Sequence, residues 1–442
     1  MYPIQAHGVR PRGRFGTRAL LAACALAWWF AAPAANPPRI TAFDRAGNLA
    51  WTNVPVPGVC GVEAATALNG AWRPGGNVFA TNSRGGATLT LSSTNRFFRL
   101  RTVPVPPTSQ GFTNLAYSYG LLETIVGNGA GREDDTNYWS AAFENGPATN
   151  AALSRPHFAM ADRAGNIYIV DKDSHSVLKV NAQGVISTWA GTHVAGYNGE
   201  GAAATNLQLS YPNGLWVRAD GTIYVLDTGN GRVRRVATNG VMTTLFVDTS
   251  DNMGRGLWVK DDESLVYFCA NSKVRSWTSA TGSVATVAKG FSELGDLCVE
   301  ASGNLLVCDR GANYLYRLTP QGDKTVLAGN GTSTGGGNGQ PALQTGLYGA
   351  RCPWPVPTGG CLLLTHDGCQ LWYVDSAGTN YLLLNGAGDT THSGDGGFFY
   401  APGEARISEG RSVCLDYQGN ILVCESDYGY VRRIRFQRFS GN

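Results

Sequence analysis

The chain has 442 residues, with 35 basic and 32 acidic side chains, 43% hydrophobic residues and 15% charged ones. So sparse and balanced a charge leaves no basic stripe and argues against nucleic-acid binding, while the length is ample for one large domain and a smaller one. Glycine at 58 residues and tryptophan at 11 suit a turn-rich, all-β protein packed around aromatic rings.

Residues 1–35 set Arg10, Arg12, Arg14 and Arg18 ahead of the apolar run ALLAACALAWWFAAPAA. A basic start, an apolar core and a small-residue end predict a secretory signal peptide cut near Ala34 or Ala35. At 17 residues the run is short for a membrane anchor. Leu21 to Cys24 fits a lipobox, but only five apolar residues separate Arg18 from Cys24, too few for a signal core. Removal of four arginines and no acids leaves a mature chain near −1. The mature chain is thus expected outside the cell or in the envelope, without a membrane span.

Residues 36–103 hold short alternating runs, PRITAFDRAGNLAWTN and ATLTLSSTNRFFRLRTV among them, separated by Gly, Asn and Pro. They predict a small antiparallel β-sandwich. Leu49-Ala50-Trp51 and Arg96 to Leu100 are similar to the flanking strands of a module found at the front of secreted bacterial proteins. Within residues 104–120 the proline-rich VPVPPTSQG that begins at Val103 reads as a stiff linker.

From residue 121 to 442 one grammar recurs. GNIYIVD at Gly165, a second alternating run SVLKV and a third, VISTWAG, form a strand–turn–strand–turn–strand unit. The first run returns at Gly221, Glu263, Gly303, Gly368 and Gly419, spaced by 56, 42, 40, 65 and 51 residues. A unit with two faces to bury cannot stand alone, so its copies must pack around an axis. These runs resemble the NHL-repeat β-propeller family. YPNGLWVRADGTIYVLDTGNGRVRRVATNGVMTTLF is close to that family's repeat, and Ser174-His175-Ser176-Val177 stands where its eponymous triplet sits. The resemblance implies a six-bladed propeller. In the fifth unit only NYLLLNGAG follows WYVD, so one strand there is expected to be missing or merged. The last unit lacks a fourth strand and LLETIVGNG at Leu121 to Gly129 looks like one, so Leu121 to Val126 is expected to close the ring and remove its exposed edges.

Several residue sets are candidates for function. Asp171, Asp227, Asp309, Asp375 and Glu425 each end a repeat's second strand and are expected to hold turns through backbone amides. Nine cysteines follow the signal. Cys298 with Cys308 and Cys414 with Cys424, ten apart in both units, are either cross-strand disulfides or buried thiols. The long glycine-rich loops carry His193, Tyr197, His392, Asp395, Tyr138, Trp139 and Phe398 to Tyr400, and loops on a rigid frame are where binding usually resides. The expectation is a non-catalytic binding module that takes a protein or glycan at this loop face, as a monomer and with no cofactor.

The alternative is a metal-dependent hydrolase or lyase at the channel mouth. Some propellers of this kind are zinc lyases using three histidines, for which His157, His193 and His392 are the nearest candidates. A gluconolactonase-like site uses Glu, Asn and Asp around a divalent cation; Glu409 and Asp296 resemble two of its ligands, and no complete set can be placed. No residue is assigned a catalytic role.

Overall fold

A computed structural model describes residues 37–56, 58–70, 72–80, 82–89, 97–104, 119–131, 135–357, 359–386, 392–395, 397–398 and 405–436. The predicted signal peptide, nearly all of the predicted linker, Phe399 and Tyr400 lie outside the described residues. Every regular element described is a β-strand or a single 3-10 turn, with no α-helix among them.

Two three-stranded antiparallel sheets come first. Arg39–Phe43, Asn48–Thr52 and Gly85–Thr88 form one, and Gly58–Ala65, Arg73–Ala80 and Phe97–Pro104 the other. They share an apolar core of Leu49, Trp51, Cys60, Val62, Phe98 and Leu100, and Phe43 packs on Phe98 at 4.8 Å.

Six further sheets of four or five strands follow in chain order. Their innermost strands are Pro156–Ala161, Pro212–Val217, Met253–Val259, Leu294–Val299, Ala350–Pro355 and Gly410–Leu415. Each touches the next, and the last touches the first, so they surround a common axis. Second strands such as Ile167–Asp171 and Ile223–Asp227 are buried at every position. That is why they read as unbroken β-branched and aromatic runs: both faces of each sheet lie against neighbouring sheets. Tight turns set the register. Asp162 accepts the Asn166 N–H at 2.9 Å around Gly165, whose φ of 84° favours glycine, and Asp416 repeats this with Asn420. The fourth strand of the sixth sheet is Tyr119–Val126, paired with Tyr430–Phe436.

Three expectations are corrected. In the fifth sheet Cys361–Thr365 is the second strand, Gln370–Val374 the third and Thr379–Asn385 the fourth, so none is missing. Asp375 therefore follows a third strand, where it accepts the Ala377 and Thr379 N–H groups at 3.0 and 2.7 Å. The paired cysteines are not bonded: all nine described are buried free thiols. Cys298 lies opposite Leu306 and Cys414 opposite Leu422, two residues short of Cys308 and Cys424, and such diagonal neighbours are about 7–8 Å apart, beyond disulfide reach.

Candidate functional site

The acids that do end second strands clamp the approach to the axis. Asp171, Asp227, Asp309 and Glu425 are all buried. They accept the backbone N–H groups of Ser154, Ser210, Ser292 and Ser408 at 2.7, 2.7, 2.9 and 2.7 Å. Each serine lies two residues before an inner strand, so each acid fixes where that strand begins. The third and fifth sheets have Ala270 and Thr365 at this place.

The long loops are held down rather than left free. Gly146–Pro147, Ala202–Ala203, Gln340–Pro341 and Gly397–Phe398 each add a fifth strand to the outer edge of a sheet. Ala148, Ala204 and Ala342, all buried, donate to the carbonyls of the turn glycines Gly184, Gly240 and Gly378 at 2.7–2.8 Å. Glu144, Glu200 and Asn338 accept the N–H of Thr188, Thr244 and Leu382 at 3.1, 2.7 and 3.0 Å, and Asp395 takes the Thr124 hydroxyl at 2.6 Å in the sixth sheet.

The loop residues singled out in the sequence fall into three separate clusters that brace these loops. His193 stacks on Trp139 at 5.2 Å and meets the Thr188 hydroxyl at 2.9 Å, while the Tyr138 N–H donates to the Ser154 hydroxyl at 2.8 Å. Tyr197, 41% exposed, lies 4.2 Å from the Arg232 guanidinium. His392 stacks on Tyr430 at 4.3 Å and reaches Asp395 at 2.9 Å and Glu425 at 3.3 Å; Arg432, fully buried, bridges the same two acids. His157, His193 and His392 are not brought together. Among the described residues no group of three His, Cys, Asp or Glu side chains is placed to hold a metal ion.

What does converge is a set the sequence reading passed over. Near the start of each inner strand, pairing with the second strand skips: Pro156 faces Asp171 but Phe158 faces Val170, Ala350 faces Thr365 but Cys352 faces Leu364, and in the third sheet the gap runs from Met253 to Leu257. Bulges of this kind re-aim a side chain. The residues so placed are His157, Asn213, Arg255, Gly295, Arg351 and Arg411, one from each sheet. Gly295 must be glycine, since a Cβ would stand 2.3 Å from the Arg351 carbonyl oxygen.

Arg351 is fully buried, Arg411 7% exposed and His157 3% exposed, while Arg255 is partly exposed. Among the described residues, all three guanidinium nitrogens of Arg351 lack a hydrogen-bond partner, as do Nε of Arg255 and Arg411 and Nε2 of His157. His157 Nδ1 is bonded to the Asn213 side-chain oxygen; that oxygen only accepts, so Nδ1 carries the proton and Nε2 presents a lone pair. Other arginines nearby are matched, Arg310 with Asp367 and Glu293 at 2.7 and 2.8 Å and Arg155 with Asp173 at 3.7 Å, and Arg411 itself reaches Asp427 through a terminal nitrogen at 3.3 Å.

Burial, and then the other arginines, hold the Arg351 pKa well below its usual range and bring that of Arg255 down to about 10. The same two causes keep His157 neutral and push His366 down to about 2. Burial raises the Asp296 carboxyl to about 7, although it accepts the Leu297 N–H. A hydrogen bond from Glu409 to Asp427, helped by burial, raises Glu409 to about 7. On the same inner strands Trp216 packs on Trp258 at 6.1 Å and on Trp354 at 5.9 Å. Trp216 and Trp354 belong to the second and fifth sheets, opposite one another in the ring, so their contact crosses the axis and narrows its far end. The arrangement gathers buried, unpartnered cationic donors around the axis, a few residues along the inner strands from these tryptophans.

No protein-family model matches the chain. A curated relative, Teneurin-m of Drosophila melanogaster, is 26% identical over 117 residues, 24% of this chain and only 4% of that protein's length. Among solved structures, a protein of unknown function from Bacteroides thetaiotaomicron aligns at a TM-score of 0.55 and 13% identity over 90% of this chain and 98% of its own. Auxiliary nutrient binding proteins from Bacteroides thetaiotaomicron and Bacteroides ovatus align at 0.52 and 0.53, with 13% and 12% identity, over 91% and 88% of this chain and 99% and 94% of theirs. These neighbours are β-propeller-like, and at such identities the likeness concerns the fold alone: this chain is an all-β, propeller-like protein.

Proposed function

We propose that the chain is a secreted, six-bladed NHL-type propeller behind a small β-sandwich, and that it serves as a non-catalytic binding module. Its ligand seats on the face where the inner strands begin. The reading rests above all on Arg351, whose buried guanidinium finds no hydrogen-bond partner among the described residues; a buried charge left unsatisfied is costly and makes sense where a ligand completes it. The nutrient-binding role of two of the structural neighbours agrees with this.

The test is a screen of the mature protein against soluble glycans and candidate protein partners by thermal shift and calorimetry, followed by mass spectrometry of the recovered ligand. Binding that weakens in Arg255→Ala, with the ligand returned chemically unchanged, is expected. A converted product would replace this reading with the enzymatic one.

A further inference from the structure

The proposed binding role leaves the ligand's chemistry open, and the side chains gathered at the axis constrain it. Resting on that role, we infer that this axial cluster binds a small oxyanion that also carries a hydroxyl, either a hydroxy acid or a protonated phosphate, held by Arg255, Arg351 and Arg411 and oriented by His157.

The donors come first. Among the described residues, Arg351 presents a buried guanidinium with no partner on any nitrogen, and the Nε groups of Arg255 and Arg411 are equally unsatisfied. Guanidinium stays charged in proteins and its fork matches the two oxygens of a carboxylate or phosphate. Most surrounding carboxylates are committed elsewhere, Asp367 and Glu293 to Arg310 and Asp173 to Arg155, while Asp427 takes one terminal nitrogen of Arg411 and a hydrogen bond from Glu409. Asp296, on an inner strand nearby, is buried and accepts the Leu297 N–H.

The acceptor comes second. His157 spends its N–H on Asn213 and leaves Nε2 buried with a lone pair. A bare anion oxygen there is repelled, whereas a hydroxyl hydrogen is accepted. Size comes third. Trp216 and Trp354 meet across the axis, so nothing threads the ring and the ligand enters from the loop face alone.

The experiment uses the mature protein in thermal unfolding and calorimetric titration with sodium malate, sodium phosphate and sodium sulfate, each against sodium chloride at equal ionic strength. Malate and phosphate, which carry the donor, are expected to raise the melting temperature saturably and more than sulfate. The malate and phosphate arms separate the two sources of the anion. Arg255→Gln, at the partly exposed lip, is expected to weaken that binding at least tenfold, and His157→Phe to erase the preference over sulfate. Equal responses to all four salts, or an Arg255→Gln protein that responds like the wild type, overturns the inference. A glycan or protein found by the screen above whose affinity ignores both malate and Arg255→Gln also overturns it, while leaving the binding role standing.

Discussion

Arg351 concentrates the trade between function and stability in one side chain. Replacing an unpaired buried charge by an apolar residue of similar length removes a desolvation cost, so Arg351→Met is expected to gain about 1–3 kcal/mol while losing the anion response, as read by calorimetry with and without malate. Asp296 sets a pH dependence of its own. Its folded pKa of about 7 stands above the value of an exposed aspartate, so between pH 4 and 7 the folded state holds more proton than the unfolded one, and stability falls as pH rises across that window. Asp296→Asn is expected to flatten that slope in urea titrations from pH 4 to 8; an unchanged slope would assign it elsewhere. The nine described cysteines, all buried and with thiol pKa values raised chiefly by burial, should resist a thiol reagent until the protein unfolds, and reductant should leave the melting temperature unmoved.

At the scale of the element, the clamp between a second strand and the start of its own sheet's inner strand recurs in four of the six sheets. Asp171→Ala leaves the Ser154 N–H without its acceptor in a buried site and is expected to cost about 1–3 kcal/mol, measured as a drop in the denaturation midpoint. The strands themselves were plain in the sequence, because a segment buried on both faces has nowhere to put polar residues. Asp375 misled for a definite reason: DSAGT closes a turn between third and fourth strands with the same side-chain-to-backbone bonds that DRAGN uses between first and second. The axial cluster was hidden because it depends on bulges, which no alternation reveals. A trace of it exists in MGRGLW, GARCPW and EGRSVC, where an arginine stands at one place in three inner strands, and aligning first strands rather than second strands exposes it. The loops drew attention by their composition, yet it is Ala148, Ala204 and Ala342 with Glu144, Glu200 and Asn338 that tie three of them to sheet edges.

For the whole molecule, closure joins distant parts of the chain. Leu122 is fully buried between sheet strands that pair Tyr119–Val126 with Tyr430–Phe436, and Glu123 accepts from Arg433 at 2.7 Å and Arg435 at 3.0 Å. Leu122→Asp places a charge in that seam and is expected to lower stability by at least about 3 kcal/mol, with a shift to larger species in size-exclusion chromatography as the freed edge pairs between molecules.

The seam also sets the timing of assembly. Glu123 and Arg433 lie 310 residues apart, and synthesis runs at about 5–20 residues per second, so the closing strand waits tens of seconds for its mate. During that interval five sheets can be complete while one ribbon of backbone still lacks its neighbour. A polypeptide interrupted before Tyr430 is then an unsealed ring with an open edge, a ready substrate for chaperones and proteases, rather than a smaller working protein.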